Sequence, residues 1–564
     1  MCGLAAIFHC PEVTMKKFAI VVVILLVTGY LGWQNRVDIL VWGAPKLTLL
    51  MNPVLANVPT QWTQGPAIAA LPANERQPNI ILILVDDMGF NDISLYNGGA
   101  ADGSLQTPNI DGLARQGVTF DNGYAANAVC APSRASLLTG RYSTRFGFEF
   151  TPIPKVGPRI FQWMDDLNPS VLPLDIDMVA AAELPSMQEQ GVPTEEITIA
   201  ETLKGAGYYT AHIGKWHLGA TNGMRPEDQG FDDSLYMSGV LYLPEDDPRV
   251  VNAKVDDQID KMVWAFGEYS AQFNGGPKFE PNGYLTDYYT DEAVKVIDAN
   301  RNQPFFLYLA QWGVHNPLQA KREDYDALAH IQDPRLRVYA SMIRALDRSV
   351  AQITEALERN GIADNTLIVF TSDNGGAGYI GLADVNKPYR GWKLTHFEGG
   401  THVPYMAKWP AKIAAGSEMQ APIHHVDLFH TFAAAAGAAI PTDRQLDGVN
   451  LLPYIRNEVQ GNPHETLFWR QGHHQAVLHQ GWKMVRADRP DKRWLFNLAE
   501  DPTEQNNLAA ANPEQVALLE GLLAAHNAEQ IEPLWPSVLD APQLIDKDGS
   551  KTYEAGDEYI YWPN

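Results

Sequence analysis

Residues Asn79-Ile80-Ile81-Leu82-Ile83-Leu84-Val85 form an apolar run that stops abruptly at Asp86 and Asp87. A run without polar alternation is the pattern of a strand buried on both faces of a parallel sheet. Phe305–Ala310 and Thr366–Phe370 have the same character, and Tyr209–Ile213 is a shorter example. Between them, helical periodicity marks Ile110–Gln116, Arg134–Thr139, Glu196–Ala206, Thr286–Asn300 and Arg335–Asn360. Strands alternating with helices predict an α/β domain: a large mixed, mostly parallel sheet sandwiched by helices. The texture changes near Arg456–Pro463. Beyond it, Thr466–Arg470, Gln475–Leu478, Lys483–Arg486 and Trp494–Asn497 read as short antiparallel strands, and Pro513–Glu529 as an amphipathic helix. This predicts a smaller C-terminal α+β domain carrying a short antiparallel sheet. The expected boundaries are 77–460 for the large domain and 461–564 for the small one.

Two irregular insertions, about Thr151–Thr194 and Ser238–Leu285, are too long for simple connections, and loops of that length usually carry function. Upstream, Lys16 and Lys17 precede an apolar run from Phe18 to Trp33, followed by Gln34, Asn35 and Arg36. Its sixteen residues are short of the about 20 that span a bilayer, but Tyr30 and Trp33 suit an interface. The excess of lysine before the run predicts a cytoplasmic 1–17, and no small-residue cleavage site closes the run. The expectation is therefore an exported protein with an uncleaved membrane anchor at 18–33, a membrane-proximal linker at 34–76, and a body facing the periplasm or extracellular space.

Composition is ordinary for a globular protein, with 45% hydrophobic and 19% charged residues over 564 positions. The charge balance is more telling. Lys and Arg number 42 against 67 Asp and Glu, a formal net charge of -25. That excludes nucleic acid as a partner, because its affinity rests on phosphate neutralisation by basic residues. An anionic substrate would instead require cations gathered locally against the global field.

Only three cysteines occur, and Cys2 and Cys10 precede the apolar run. Cys130 therefore belongs to no disulfide framework. A free cysteine is most often a small core residue, yet Cys130 opens the polar, cationic stretch Cys130-Ala131-Pro132-Ser133-Arg134, followed by Leu138-Thr139-Gly140-Arg141. Asp86 and Asp87 end one buried strand, and Thr371-Ser372-Asp373-Asn374-Gly375-Gly376 ends another. In open α/β sheets ligands sit beyond the carboxyl ends of strands. Two such pairs, Asp86-Asp87 and Asp373-Asn374, at equivalent strand ends point to a hard divalent cation in an oxygen-lined site. Gly214-Lys215-Trp216-His217-Leu218-Gly219 places a lysine and a histidine two apart, on one side if the backbone is extended. Val314-His315-Asn316-Pro317 occupies another strand crest. Gly391-Trp392-Lys393 precedes Phe397-Glu398-Gly399-Gly400, where glycines permit close backbone approach.

In this order, the segments resemble a type I sulfatase of the alkaline phosphatase superfamily, arylsulfatase A/B-like, from about Gln77 to Ala509. The resemblance implies that Cys130 is oxidised to formylglycine by a formylglycine-generating enzyme. It implies Ca²⁺, with Mg²⁺ as the weaker choice, bound by Asp86, Asp87, Asp373, Asn374 and the oxidised Cys130. Arg134 would stabilise the formylglycine hydrate, with His217 assisting. Lys215 and Lys393 would hold sulfate oxygens, and His315 would protonate the leaving oxygen. The family's usual serine after the Gly214–Gly219 segment has two candidates, Ser234 and Ser238.

The expected activity is hydrolysis of sulfate monoesters of a small molecule or carbohydrate. A phosphonate monoester or phosphodiester hydrolase of the same superfamily is the nearest rival, and an inactive carbohydrate-binding surface protein the rival of another class. Specificity is expected in the two insertions and in His473-His474, with Trp163, Trp264 and Trp312 as candidates for stacking on a ring.

Overall fold

The computed structural model describes residues 11–36, 39, 43, 46, 50–96, 98–100, 102–167, 169–265 and 267–564. Residues 54–564 form one compact unit and 1–53 another. The large unit is built on a nine-stranded sheet. Its strands are β1 (Asn79–Val85), β2 (Val118–Phe120), β3 (Tyr209–Gly214), β4 (Asp233–Met237), β5 (Ala271–Phe273), β6 (Phe305–Ala310), β7 (Thr366–Ser372), β8 (Tyr405–Lys408) and β9 (Ser417–Met419). Across the sheet their order is β9-β2-β8-β7-β1-β6-β3-β4-β5. The run from β7 to β4 is parallel, and β8 and β5 flank it antiparallel. β1 lies at the centre, with β7 and β6 as its neighbours. The three apolar runs that show no alternation are therefore adjacent.

The helices include α1 (Pro11–Gln34), α2 (Pro108–Arg115), α3 (Cys130–Thr139), α4 (Ile199–Gly205), α5 (Leu285–Asn300), α6 (Pro334–Arg359), α7 (Asp427–Ala436) and α8 (Pro513–Asn527). Alternation along β1 explains how α2 to α7 are sorted. Ile80, Leu82 and Leu84 face a core built with α3, α4 and α7, including Leu138, Leu203 and Phe432. Ile81, Ile83 and Val85 face the opposite core, built with α2, α5 and α6, including Ile110, Val296 and Leu346. These six β1 side chains are at most 1% exposed, and burial of each stabilises the fold by about 1.5–3 kcal/mol.

The C-terminal strands β10 (Thr466–Gln471), β11 (His474–His479), β12 (Trp482–Asp488) and β13 (Asp491–Asn497) form an antiparallel meander in sequence order. Leu467, Trp469, Val485 and Trp494 on one face join the first core of the large sheet. Val477, Met484 and Leu495 on the other face pack against Leu519 and Leu523 of α8. A final hairpin, β14 (Leu539–Leu544) and β15 (Tyr559–Pro563), adds the short strand Asp175–Ile176 from the first insertion to its edge.

The expected anchor at 18–33 falls within α1. The side chains of 18–21 and 24 lie outside the described residues. Among the described residues no helix is long and apolar enough to cross a membrane, so the anchor gains no support.

Candidate active site

β1 and β7 are parallel neighbours, with Val85 beside Ser372, so both chains leave the sheet at one edge. Asp86, Asp87, Asp373 and Asn374 are thereby gathered at one point, all buried. Asp87 has a φ of 59°, a left-handed conformation that aspartate tolerates better than most residues. Its amide donates to Asp373 Oδ1 at 3.2 Å, and Asn374 Nδ2 donates to Asp87 Oδ1 at 2.8 Å.

Helix α3 begins at Cys130 itself rather than after it. Its amino-terminal end, with partial positive charge, therefore carries the thiol. Sγ lies 3.6 Å from Asp86 Oδ1 and 3.7 Å from Asp87 Oδ1. Pro132 sits in the first turn, where the missing N–H costs little. Arg134 follows Cys130 by one helical turn and so shares its face. Its guanidinium bridges Asp373 Oδ2 through Nε and Asp86 Oδ2 through Nη2, both at 2.8 Å. Gly140 ends the helix at φ 68°, and a Cβ there would come within 2.6 Å of Phe429. Arg141, the last residue of the motif, pairs with Glu196 at 2.6 Å and lies outside the cluster.

Lys215 Nζ is 2.7 Å from Asp86 Oδ2 and 4.8 Å from the centre of the Trp312 ring. Lys393 Nζ is 2.8 Å from Asp87 Oδ1. His315 stacks on Trp312 with ring centres 4.0 Å apart, and its Nε2 is 3.6 Å from Asp87 Oδ2. Atoms of Asp86, Asp87, Cys130 and His315 lie within 4.8 Å of one another. Asp373 stands just outside this tightest group, held by Arg134. Three carboxylates thus face three cations. The oxygen-rich donor set fits a divalent cation, and Asn374 Oδ1 is a buried acceptor without a partner.

Burial, reinforced by Asp373, pushes Asp86 up to about 6. Burial opposes ionisation of Asp87 too, but Lys393 above all, with His315 and Lys215, holds it below the usual carboxylate range. Burial and then Asp373 push the Cys130 thiol up, so the unmodified residue is not an activated thiolate. His217 and His315 are both held far below the ordinary imidazole value, burial being the largest cause. His315 Nδ1 sits 2.6 Å from the Asn316 carbonyl, so Nδ1 carries the proton and Nε2 is an acceptor in the neutral ring.

A family model described as sulfatase matches residues 78–438, well over half of the chain. This chain belongs to the sulfatase family. A second model, N-sulphoglucosamine sulphohydrolase C-terminal, matches 392–527. N-acetylgalactosamine-6-sulfatase of Homo sapiens is 35% identical over 500 residues, 83% of this chain and 87% of that protein. Steryl-sulfatase of Mus musculus is 29% identical, covering 86% of each. Among solved structures, Ps i-CgsB superposes with a TM-score of 0.67 at 32% identity, over 82% of this chain and 95% of its own; it was also solved with k-i-k-neocarrahexaose. Phosphonate monoester hydrolase of Silicibacter pomeroyi, at 18% identity and TM-score 0.56, shares the fold. The chain is a sulfuric ester hydrolase with the mixed, mostly parallel sheet and C-terminal antiparallel sheet of that superfamily.

The cluster of this sulfatase opens into a cavity of about 750 Å³ lined by Cys130, Lys215, His217, Trp312, His315 and Lys393, among others. His217 reaches it through a left-handed backbone (φ 65°), not through the extended segment that the spacing suggested. Both insertions contribute to the walls. His473 and His474 do not line the cavity; His474 is buried and stacks on His396 at 4.5 Å. Trp163 and Trp264 are absent from the lining too. Ser238 lines it, whereas Ser234 is buried against His212 Nδ1 at 2.9 Å.

Tyr379 was not legible from the sequence. Its hydroxyl donates to Asp87 Oδ2 at 3.1 Å and accepts from Lys393 Nζ at 3.2 Å. Only its closeness to the Asp373-Asn374-Gly375-Gly376 segment hinted at it. Leu539, Trp562 and Asn564 of the last hairpin also line the cavity, with no signal in their local sequence.

Proposed function

We propose that this sulfatase cleaves sulfate monoesters with formylglycine formed from Cys130 and with a divalent cation, Ca²⁺ before Mg²⁺, held by Asp86, Asp87, Asp373 and Asn374. The observation that supports it is the convergence of Cys130, the acidic pairs and three cations at one strand edge. The thiol as encoded is poorly suited to attack, because burial and the neighbouring carboxylates disfavour its thiolate. Once oxidised by a formylglycine-generating enzyme and hydrated, the residue would supply one hydroxyl to attack sulfur and a second whose deprotonation expels sulfate. The cation would lower the pKa of hydroxyls close to it and offset charge on the sulfate oxygens.

The other roles belong to the chain's own groups. Arg134, fixed by two carboxylates, holds the nucleophile's surroundings in place. Lys215 and Lys393 would exchange part of their contact with Asp86 and Asp87 for sulfate oxygens, in a dry site where such contacts are strongest. His217, which lines the same cavity as Cys130 and has a buried Nδ1 without a partner, would take a proton from the hydrate. His315 would act as leaving-group acid after gaining a second proton at Nε2, a state that burial above all, with Lys393 and Lys215, opposes and that Asp87 favours.

The test is peptide mass spectrometry of active protein together with turnover of phenyl sulfate and phenylphosphonate esters. Formylglycine or its hydrate at position 130, with sulfate preferred, is the expected result. Unmodified cysteine throughout a fully active preparation would overturn the nucleophile, and preference for the phosphonate would overturn the substrate.

A further inference from the structure

Between the Asp373-Asn374 pair and Lys393 the chain makes a closed loop. Asn386, buried within it, accepts from the Gly376 amide at 2.8 Å. Its Nδ2 donates to the carbonyls of Gly376 and Gly391, at 2.9 and 3.1 Å. The Lys393 amide adds a bond to the same Gly376 carbonyl at 3.0 Å. Tyr379 lies inside this loop, in the 3-10 turn Gly378–Ile380, and is buried.

Two contacts fix the turn. The Trp392 ring packs on Gly378, where a Cβ would come 3.0 Å from Trp392 Cγ. Gly549, in the connection between β14 and β15, donates its amide to the Gly378 carbonyl at 2.9 Å. A Cβ on Gly549 would fall 2.8 Å from Tyr379 Cα, closer than a side chain can stand to a backbone atom. The last hairpin is therefore pressed against the residue that reaches the active site.

The two lysines that would grip sulfate differ in what else they touch. Lys215 Nζ rests on Asp86 and on the Trp312 ring. Lys393 Nζ has Asp87 at 2.8 Å and the Tyr379 hydroxyl at 3.2 Å. That hydroxyl gives its one proton to Asp87 Oδ2 at 3.1 Å, so towards Lys393 it can only accept. A neutral acceptor orients the ammonium without cancelling its charge, which stays available to a sulfate oxygen. It also restrains a long side chain whose rotamer freedom would otherwise be lost when substrate binds.

We propose that Tyr379, braced by Gly549 of the last hairpin, is the positioning residue of the sulfate clamp and aims Lys393 Nζ at the sulfate. The proposal rests on the sulfatase reading with Lys393 as a sulfate ligand, and adds the groups that hold this lysine in place.

The test is a double-mutant cycle read as kcat/KM for phenyl sulfate at saturating Ca²⁺, using the full chain with position 130 verified as oxidised. Tyr379→Phe should lower kcat/KM about tenfold, the low end for a hydrogen bond to a charged group. Gly549→Ala, remote from the reacting atoms, should lower it in the same direction by about threefold, a backbone shift rather than a lost contact. In the Lys393→Met background each change should cost less than about twofold, because the group they aim is gone. Tyr379→Phe as active as wild type would overturn the proposal, as would a Gly549→Ala without effect. So would a loss that persists undiminished in Lys393→Met, or one explained by a raised Ca²⁺ requirement, since either places the action of Tyr379 elsewhere. A fully active Lys393→Met would overturn the clamp and the proposal together while sulfate hydrolysis stands. No turnover of any sulfate by oxidised wild type would overturn the sulfatase reading itself.

Discussion

Asp92 is fully buried, and its Oδ2 accepts from Tyr339 Oη at 2.6 Å and from the Gly89 amide at 2.7 Å, while Oδ1 has no partner. Burial pushes this carboxyl up to about 8. The folded protein therefore keeps a proton that the unfolded chain releases near about 3.9. Its contribution to stability is complete below about pH 4, declines as pH rises, and levels off above about pH 8, with a slope of at most about 1.4 kcal/mol per pH unit. Asp92→Asn cannot titrate, so denaturant unfolding should show the wild type losing stability relative to this variant between pH 5 and 8. Parallel stability–pH curves would refute the assignment. His315 calls for a kinetic test. If it donates the proton, His315→Ala should impair alkyl sulfates far more than activated aryl sulfates, within the about 10²–10⁴-fold typical of general acids. Equal losses on both would transfer the role to His217. The residue types of this cluster were legible because their motifs are specific; the tautomer of His315 was not, since it depends on the Asn316 carbonyl.

At the scale of elements, Glu398 of the Phe397-Glu398-Gly399-Gly400 segment does not serve the active site directly. Lys483, fully buried on β12, lies 2.6 Å from Glu398 and 3.1 Å from Glu504. Tyr124 and His402 also contact Glu398, and its amide donates to Glu504 at 2.6 Å. The network ties the C-terminal sheet to the segment after Lys393. Glycine there permits backbone against backbone: a Cβ on Gly375 would fall 1.9 Å from the Gly399 carbonyl. The sequence suggested close backbone approach at Gly399 and Gly400, and the structure brings Gly375 of a second loop against them. Lys483→Met would leave two buried carboxylates without their cation and should cost about 3–5 kcal/mol. Adding Glu398→Gln and Glu504→Gln should recover most of that in thermal or denaturant unfolding. An unchanged midpoint in Lys483→Met would show that the network contributes nothing.

For the whole molecule, the cation prediction follows from linkage. A metal that binds the folded cluster and not the unfolded chain adds about 2.7 kcal/mol at a hundredfold excess over its dissociation constant. Chelation should therefore lower the unfolding temperature as well as abolish turnover, and Ca²⁺ should restore both better than Mg²⁺. Full activity and an unchanged midpoint in chelator, with no divalent metal by elemental analysis, would eliminate the site. Asp373→Ala should weaken the response of the midpoint to Ca²⁺, a readout independent of catalysis.

The central strands were legible because β1, β6 and β7 are apolar without alternation, and burial on both faces of a sheet is the stable fate of such segments. That their polar successors crowd one edge follows from the same parallel arrangement. The pairing of those successors did not. Arg134 meets an aspartate 239 positions away, and Asn374 one 287 positions away. The first depends on the packing of α3 against the sheet and the second on the pairing of β1 with β7, neither of which is set by local propensity. The cavity wall is the extreme case, since 151–194, 238–285 and the 539–563 hairpin carry no common pattern. They become one surface only when the two cores have closed and long-range packing has brought their loops together.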